Sequence, residues 1–542
     1  MTSGADLIAA KLRQAGCRHA FGIPGGEVLA LMGALDAAGI AFHLVKHENA
    51  GGFMAEGVWH AEARAGQGAP GVLLATLGPG VANAVNVVAN AWQDRVPLIF
   101  LTGCVDAAEA ETYTHQVFDH QQLLRPVVKA SFRASSGTLS AMMDKAILTA
   151  MEGQPGPVHV DMPIGVAEAE TDESLLPLPA LADPSYLAPA GAGLEAARAL
   201  LAGAERPIAI AGVDAVNEGA GTAVAEFCRR FNVPLVTTYK AKGLIDEADA
   251  LSLGGAGLSP RADAHLLPLL KASDCILLLG YDPIEMRINW RDPWAPGAPV
   301  VEIAASPRRH GMHSVRHLLA CGVAPGLAAL GEGLSPRPAW PGDEVASARA
   351  ALAAQFAPEP SGWGPANVFH TLRAVLPPET VATADSGAHR ILASQVWRAG
   401  FPRAMLQSSA LCTMACALPL GMGHALAEPQ RPVIVFVGDA GLEMGLGELA
   451  TLRDLRLPVI VCVLVDESLA LIELKQRAGQ RANVGVDFGG TDFPALARAT
   501  GGHGVWVDDT ETLAREARAA LDRDTYTLLA CRIGRRAYDG KF

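Results

Sequence analysis

Short apolar runs, separated by longer segments rich in Ala and Leu, recur along the whole chain and restrict its fold more than any other feature. The runs have the length of strands, and the segments between them have the apolar spacing of helices. Strands that alternate with helices indicate parallel sheets covered on both faces. The sequence therefore predicts an α/β fold, with buried strands at Val72–Thr76, Pro97–Thr102, Val158–Asp161, Pro207–Ala211, Cys275–Gly280, Val300–Ile303, Val381–Thr383, Val433–Val437 and Val459–Val465.

Two proline-rich segments divide this pattern. Residues 169–192 are acidic and proline-rich, and residues 334–362 contain two further proline clusters. Proline clusters between periodic segments mark domain boundaries. We therefore expect three doubly wound parallel-sheet domains, at residues 1–168, 190–335 and 360–542.

Charge and cysteine usage exclude several classes of partner. The formal net charge is −13, and the basic pairs Arg308–Arg309 and Arg535–Arg536 are isolated, so neither nucleic acid nor an anionic membrane is expected. The N-terminus has no signal-peptide pattern, and no run approaches about 18 apolar residues. The nine scattered cysteines show no zinc spacing and fit a reducing cytoplasm.

The strand Val433–Val437 stops at Gly438-Asp439-Ala440-Gly441, which is either a plain turn or a phosphate-and-metal site. Small residues at a strand end let backbone N–H groups approach a diphosphate, and an Asp there can hold Mg²⁺. The next strand ends at Asp466, 27 positions later, which fits one strand–helix–strand unit and puts both carboxylates at adjacent strand ends. Ser468 follows closely as a further oxygen ligand.

In the first domain, Glu48 follows a strand and opens a helix, and the turn Leu77–Gly80 precedes a helix that contains Asn83. Glu48 by itself has two readings, a solvated helix cap or a functional acid. Met414 in its Ala-rich surroundings is by itself a candidate core residue.

Together these residues resemble the thiamine-diphosphate-dependent 2-oxo acid enzymes, the superfamily of acetolactate synthase, pyruvate oxidase and benzoylformate decarboxylase. The resemblance covers nearly the whole chain. It implies pyrimidine-binding, central and diphosphate-binding domains, with thiamine diphosphate and Mg²⁺ as cofactors. It also implies a homodimer at least, with a homotetramer expected, because the first and third domains of this family meet across a dimer interface.

The resemblance also assigns roles. Glu48 corresponds to the glutamate that activates the cofactor, and Met414, 25 residues before Asp439, to the residue that wedges the two cofactor rings into a V shape. The carbonyl of Cys412 would accept a hydrogen bond from the cofactor's amino group. Asp466 replaces the family's usual Asn. Asp439, Asp466 and Ser468 are the implied metal ligands, and the implied cofactor-binding residues are Glu48, Gly78, Asn83, Ser386, Gly387, His389, Cys412, Met414, Gly438, Ala440, Gly441, Leu471 and Ile472.

Three further matches resemble the acetolactate synthases, especially their catabolic, flavin-independent kind. They are the loop Thr114–Gln116 with Pro126–Lys129, the segment Gly280–Glu285, and Val486–Gly489 with Asp492-Phe493. Gln116 would face the reacting carbonyl. FAD is not expected.

Two departures keep other readings open. Glu27 stands where these synthases have a small or basic residue; it is a solvated loop residue, a group that repels a carboxylate substrate, or a proton donor. Lys475 either pairs with a substrate carboxylate or Glu27, or lies on the surface.

The favoured function is decarboxylation of a pyruvate-like 2-oxo acid with carboligation to a second carbonyl. The alternatives are a simple decarboxylase or 2-hydroxyacyl lyase and, least favoured, a non-catalytic cofactor-binding protein. The tail GRRAYDGKF either covers the site or is disordered.

Overall fold

A computed structural model describes residues 2–66, 68–179, 188–284, 286–306 and 310–542. Residues 180–187 of the first linker, Glu285 of the segment Gly280–Glu285, and the pair Arg308–Arg309 lie outside the described residues.

The N-terminal part of the chain forms a six-stranded parallel sheet with strand order β3-β2-β4-β5-β7-β6. A separate antiparallel pair, β1 with β8, attaches the start of the first linker to this domain. The strands are β1 (Thr2–Ser3), β2 (His19–Ile23), β3 (Ala41–Leu44), β4 (Gly71–Ala75), β5 (Leu98–Cys104), β6 (Ala130–Arg133), β7 (Pro157–Pro163) and β8 (Glu170–Thr171). The helices are α1 (Gly4–Gln14), α2 (Leu29–Ala37), α3 (Glu48–Arg64), α4 (Pro79–Asp94), α5 (His120–Leu124), α6 (Leu139–Met151) and α7 (Ile164–Glu168).

The central part forms a second six-stranded parallel sheet, with strand order β11-β10-β9-β12-β13-β14. Its strands are β9 (Pro207–Ala211), β10 (Leu235–Thr238), β11 (Ser252–Ala256), β12 (Cys275–Leu279), β13 (Val300–Ile303) and β14 (His317–Leu319). Its helices are α8 (Ala192–Gly203), α9 (Val213–Asn217), α10 (Gly221–Phe231), α11 (Pro260–Ala272) and α12 (Val323–Gly331).

The second proline-rich segment is more ordered than its composition indicates. It contains a helix, α13 (Glu344–Gln355), which packs against α11 of the central domain. Trp340, just before this helix, donates its indole N–H to the carbonyl of Pro207 at 2.8 Å. The boundary segment 334–362 therefore contains a helix, because Ala-rich helical residues lie between its two proline clusters.

The C-terminal part forms the third six-stranded parallel sheet, with strand order β16-β15-β17-β18-β20-β19. Its strands are β15 (Val381–Ala384), β16 (Met405–Gln407), β17 (Val433–Gly438), β18 (Ile460–Val465), β19 (His503–Val507) and β20 (Thr527–Arg532). Its helices are α14 (Pro365–Val375), α15 (Ala388–Val396), α16 (Ala417–Ala427), α17 (Asp439–Met444), α18 (Glu448–Leu455), α19 (Ala470–Ala478), α20 (Phe493–Ala499) and α21 (Thr510–Ala520).

Alternate side chains along the strands pack into different cores, which is why the strands read as continuous apolar runs. On β17, Ile434 and Phe436 belong to one buried cluster, whereas Val433, Val435 and Val437 belong to another. Each face of the sheet is therefore covered by helices. The three doubly wound parallel sheets confirm the predicted fold class. Each proposed domain range encloses one of them; the boundaries themselves stay a proposal.

The first and third domains meet through a close contact between α3 and α16. A methyl group added at Gly57 would lie 2.2 Å from the carbonyl oxygen of Leu420, and one added at Gly423 would lie 1.9 Å from that of Met54. The two backbones are therefore nearly in contact, and only glycine fits at either position. Glu48 begins one helix and the loop containing Met414 leads into the other, so this contact positions both.

All three domains meet at a buried cluster of charged groups. Asp94 of α4 accepts the backbone N–H groups of Ser409 and Ala410 at 2.9 and 3.0 Å. Lys240 of the central domain lies 2.7 Å from Asp94 and 3.7 Å from Glu56 of α3. Burial raises the pKa of both acids, and the charge of Lys240 opposes this rise. The central domain thus supplies the cation that compensates two acids of the first domain.

None of the helices within the described ranges has both the length and the apolar character that crossing a bilayer requires.

We expect Gly57→Ala to lower the apparent melting temperature of the protein, because its methyl group would meet a backbone carbonyl. The cost of such overpacking is about 1–3 kcal/mol. Gly33→Ala in α2 is the matched control: no atom lies within 4 Å of the added methyl group, so this variant should gain stability through its higher helix propensity. Equal melting temperatures for the two variants would contradict the close contact.

Candidate active site

A pocket lies at the carboxyl edge of the third sheet, where three neighbouring strands end. β15 leads into Ser386, β17 ends at Gly438, and β18 is followed by Asp466, so the parallel register brings their loops together. The pocket is lined by Ser386, Gly387, Ala388, His389, Met414, Gly438, Asp439, Ala440, Gly441, Leu464, Asp466, Ser468, Leu469, Ala470, Leu471, Ile472 and Tyr538.

Asp439 is held by backbone N–H groups from two strand ends. Its Oδ2 accepts the N–H groups of Asp466 and Glu467 at 3.0 and 2.7 Å, and its Oδ1 accepts that of Ala440 at 2.9 Å. Burial raises the pKa of Asp439, and these three hydrogen bonds partly offset the rise. The three hydrogen bonds fix the carboxylate and use three of its roughly four lone-pair positions, so one remains available to a cation.

Asp466 is the second acid of the pocket. Burial and the nearby charge of Asp439 raise its pKa to about 8. The hydroxyl of Ser468 is buried and has no hydrogen-bond partner among the described residues. Two crowded carboxylates and an unsatisfied hydroxyl form an all-oxygen donor set, which is the set that Mg²⁺ prefers. The residues present therefore fit a divalent cation, which would relieve the repulsion between the two acids.

Asp385 connects three parts of the pocket and was not identified from the sequence. Its Oδ1 bonds His389 Nε2 at 2.7 Å, and its Oδ2 accepts the N–H of Ala415 at 2.7 Å. A methyl group added at Gly441 would lie 2.3 Å from the same Oδ2. This one carboxylate thus joins the loop after β15, the loop that contains Met414 and the start of α17. A strand-end Asp beside Ser386 was the available signal.

The loop before α16 holds Met414 in a strained backbone. Cys412 and Ala415 have φ values of +55° and +63°, which non-glycine residues rarely adopt. Such strain persists only where the surroundings enforce it and is concentrated at functional sites. Arg390 donates to the sulfur of Cys412 at 3.2 Å, and Thr413 donates its hydroxyl to Asn86 of the first domain at 2.9 Å. The loop is therefore anchored from both domains.

Glu48 is buried at the start of α3, with 4% of its surface exposed. Asn83 Nδ2 donates to its Oε2 at 2.9 Å. A methyl group added at Gly80 would lie 3.3 Å from its other oxygen. The acid is desolvated and oriented, which is inconsistent with a solvated helix cap.

The predicted substrate loop packs on Gly78. Gln116 is exposed with φ +60°, and its carbonyl oxygen would lie 2.3 Å from a methyl group added at Gly78, itself at φ +65°. The N–H of Gly78 donates to His120 Nε2 at 3.1 Å, and His120 Nδ1 bonds Asp161 at 2.8 Å. His120 and Asp161 were not identified from the sequence, because they lie 41 positions apart and only the fold brings them together.

Glu27 is half-buried and accepts the hydroxyl of Thr76 at 2.6 Å, so it is not a freely solvated loop residue. Lys475 is exposed on α19, one turn beyond the pocket-lining Leu471 and Ile472.

Within one chain the candidate residues form two groups. All predicted residues between Ser386 and Ile472 except Cys412 line the pocket. Glu48, Gly78, Asn83, Gln116 and Glu27 belong to the first domain and do not line it. A separate cleft contains Asn83, Cys412 and Met414, so Met414 borders both spaces. The structure does not bring Glu48 to the pocket of its own chain.

Comparison with known families identifies the family to which this chain belongs. Three family models of thiamine pyrophosphate enzymes match in order: the N-terminal TPP binding domain over residues 2–123, the central domain over 194–330 and the C-terminal TPP binding domain over 385–531. The chain belongs to the thiamine pyrophosphate enzymes. Thiamine pyrophosphate is another name for thiamine diphosphate, so the chain is a thiamine-diphosphate-dependent enzyme.

Curated relatives cover almost the entire chain. The acetolactate synthase large subunit of Parasynechococcus marenigrum (strain WH8102) is 31% identical over 98% of this chain and 88% of its own length. The acetolactate synthase isozyme 1 large subunit of Escherichia coli (strain K12) is 30% identical over 88% of this chain and 83% of its own length. The acetolactate synthase of Bacillus subtilis (strain 168) is 26% identical over 96% of this chain and 91% of its own length.

We expect Asp385→Ala to weaken binding of thiamine diphosphate strongly, because the loops at His389 and Ala415 lose their common acceptor. Loss of hydrogen bonds to a charged group costs about 1.5–3 kcal/mol each. Isothermal titration with Mg²⁺ present measures the affinity. Asp509→Ala is the control: it removes a helix cap of the same domain, at Thr512, and should lower stability without changing affinity. Unchanged affinity in Asp385→Ala would refute the connecting role.

Proposed function

We propose that this enzyme decarboxylates a pyruvate-like 2-oxo acid and joins the remaining acyl unit to a second carbonyl, as an acetolactate synthase-like carboligase. The observation that carries the proposal is the pocket that Asp439, Asp466 and Ser468 line together with the start of α15. The names of the curated relatives favour acetolactate synthesis over other reactions of the family.

We propose that Asp439, Asp466 and Ser468 hold Mg²⁺, and that the N–H groups around Gly387, Gly438, Ala440 and Gly441 bind the diphosphate. Support comes from the oxygen donor set and from the N-terminus of α15, where N–H groups without helical partners favour negative charge. The cation would compensate Asp466, an acid where the family usually has an amide.

Thiamine diphosphate, when bound, supplies a carbon nucleophile and takes up the electrons that CO₂ leaves behind. Glu48 would hold a proton against a ring nitrogen of the cofactor, since burial and Asn83 fix its carboxyl group. Met414 would support the bent form of the cofactor. The carbonyl of Cys412 would accept a hydrogen bond from the cofactor's amino group. Gln116 would bind the substrate carbonyl from the exposed loop.

Glu27 favours one alternative. Its carboxyl group accepts the hydroxyl of Thr76, two positions before the Gly78 on which Gln116 packs. A charged group there would disfavour a second 2-oxo acid as acceptor. Simple decarboxylation, or lysis of a 2-hydroxyacyl compound, is therefore the second candidate.

We propose a homodimer at least, and a homotetramer as the expected assembly, in which the Glu48 group of one copy completes the pocket of another. Support comes from the separation of the two groups within one chain. We also propose a cytoplasmic location, which the dispersed spacing of the cysteines in the sequence supports. A flavin is not part of the proposal; a flavin absorbance band in the purified protein would contradict this.

Product analysis by NMR tests the reaction. The purified protein is incubated with thiamine diphosphate, Mg²⁺ and pyruvate. We expect acetolactate. Acetaldehyde alone would select the decarboxylase. No turnover, with cofactor binding shown by titration, would exclude pyruvate as donor and direct the test to bulkier 2-oxo acids.

Complementation tests the residue roles and the dimer together. We expect Glu48→Gln to bind the cofactor without turnover and Asp439→Asn to lose Mg²⁺-dependent binding. Co-expressed, the two variants should regain about a quarter of wild-type activity, because half of randomly formed twofold dimers carry one intact site. Glu62→Gln on the same helix should keep full activity. If each chain built its own site, co-expression would restore nothing.

A further inference from the structure

The last ten residues form a strap over the cofactor pocket, defined here as Ile533–Phe542. The strap follows β20 and is attached through two ion pairs; that of Arg535 is exposed, whereas that of Arg536 has a buried partner. Arg535 lies 3.2 Å from Asp487, and Arg536 lies 3.4 Å from Glu473. Exposed ion pairs contribute little stability individually. Of the two readings of this tail, the structure favours the one in which it covers the site, because Tyr538 lines the pocket.

Tyr538 is the residue by which the strap enters the pocket. It is 3% exposed and belongs to a large core cluster that includes residues of both the central and the third sheet. It lines the pocket together with Asp439, Asp466 and Ser468. It also lines the adjoining cavity that contains Arg535 and Arg536, so it lies between the two cavities.

The hydroxyl of Tyr538 is buried and finds no hydrogen-bond partner among the described residues. A buried hydroxyl left unpaired costs free energy, and each such group in a native protein calls for an explanation. An apolar ring such as Phe would pack equally well there without that cost. The hydroxyl of Ser468, on the same pocket wall, is likewise unpaired within the described chain. Two unpaired donors therefore line one pocket.

The charges around Tyr538 indicate what would pair with it. Burial raises the pKa of its phenol well above the usual value, and the carboxylates of Asp466 and Asp439 add to that rise. The hydroxyl has one hydrogen to donate, and a strong acceptor inside the pocket would satisfy it. The oxygens of a diphosphate, or of water on a divalent cation, are acceptors of that kind.

We propose that the Tyr538 hydroxyl donates a hydrogen bond to the oxygens of the diphosphate–metal assembly, so that the strap binds the cofactor directly. This inference rests on the proposed binding of thiamine diphosphate and Mg²⁺ in the pocket. The residue lies beyond 385–531, the range that matches the C-terminal family model.

Tyr538→Phe tests the contact by removing only the oxygen. We expect the cofactor-free variant to melt at or above the wild-type temperature, because the hydroxyl has no partner to lose. In Mg²⁺ buffer, its dissociation constant for thiamine diphosphate, measured by isothermal titration, should rise about tenfold, as expected for a lost hydrogen bond to a charged group. Hydrogen exchange of the strap amides should slow on cofactor binding in the wild type and less in the variant.

Tyr526→Phe is the matched control. Its hydroxyl donates to the carbonyl of Ala497 at 3.1 Å in the same domain, so removal should lower the melting temperature and leave the dissociation constant unchanged. Equal affinity of Tyr538→Phe and the wild type would overturn the inference while leaving the proposed function intact. A wild-type protein that does not bind thiamine diphosphate would overturn both.

Discussion

The contact between α3 and α16 is the constraint on which the arrangement of this molecule depends. Gly57 and Gly423 have no side chain, so the backbone of each helix packs directly against a carbonyl group of the other helix. Each helix begins at a chemically important point: α3 at Glu48, and α16 just after the Met414 loop. A small change in the helix spacing would therefore shift the acid of one domain and the loop of the other together.

Three acids, Asp385, Asp439 and Asp466, lie at the carboxyl edge of the third sheet, and they dominate the electrostatics of the site. Asp385 and Asp439 are satisfied by N–H groups and by His389, and each joins loops from different strands. Asp466 lacks comparable compensation, and burial beside Asp439 raises its pKa to about 8. The crowding of these two acids is consistent with the cation site that we propose, because a bound cation would relieve their repulsion.

Much of the fold could be predicted from the sequence because its causes are local. Apolar runs of strand length and helical spacing between them specify three parallel sheets, and the spacing of Asp439 and Asp466 places both at neighbouring strand ends. Residues whose roles depend on distant partners were missed: Asp385, which acts through Ala415, and Tyr538, which reaches the pocket only because the strap turns back. Helix α13 was missed because the prolines on either side dominated the composition.

Lys240 couples the central domain to the loop that contains Met414, although Lys240 does not line the pocket. Its charge compensates Asp94, and Asp94 holds the backbone at Ser409 and Ala410, a few residues before Met414. A chimera with a foreign central domain would therefore have to carry a cation at this position. Without one, two desolvated acids would be left facing each other at the base of the loop. The middle of the chain is consequently not an exchangeable module.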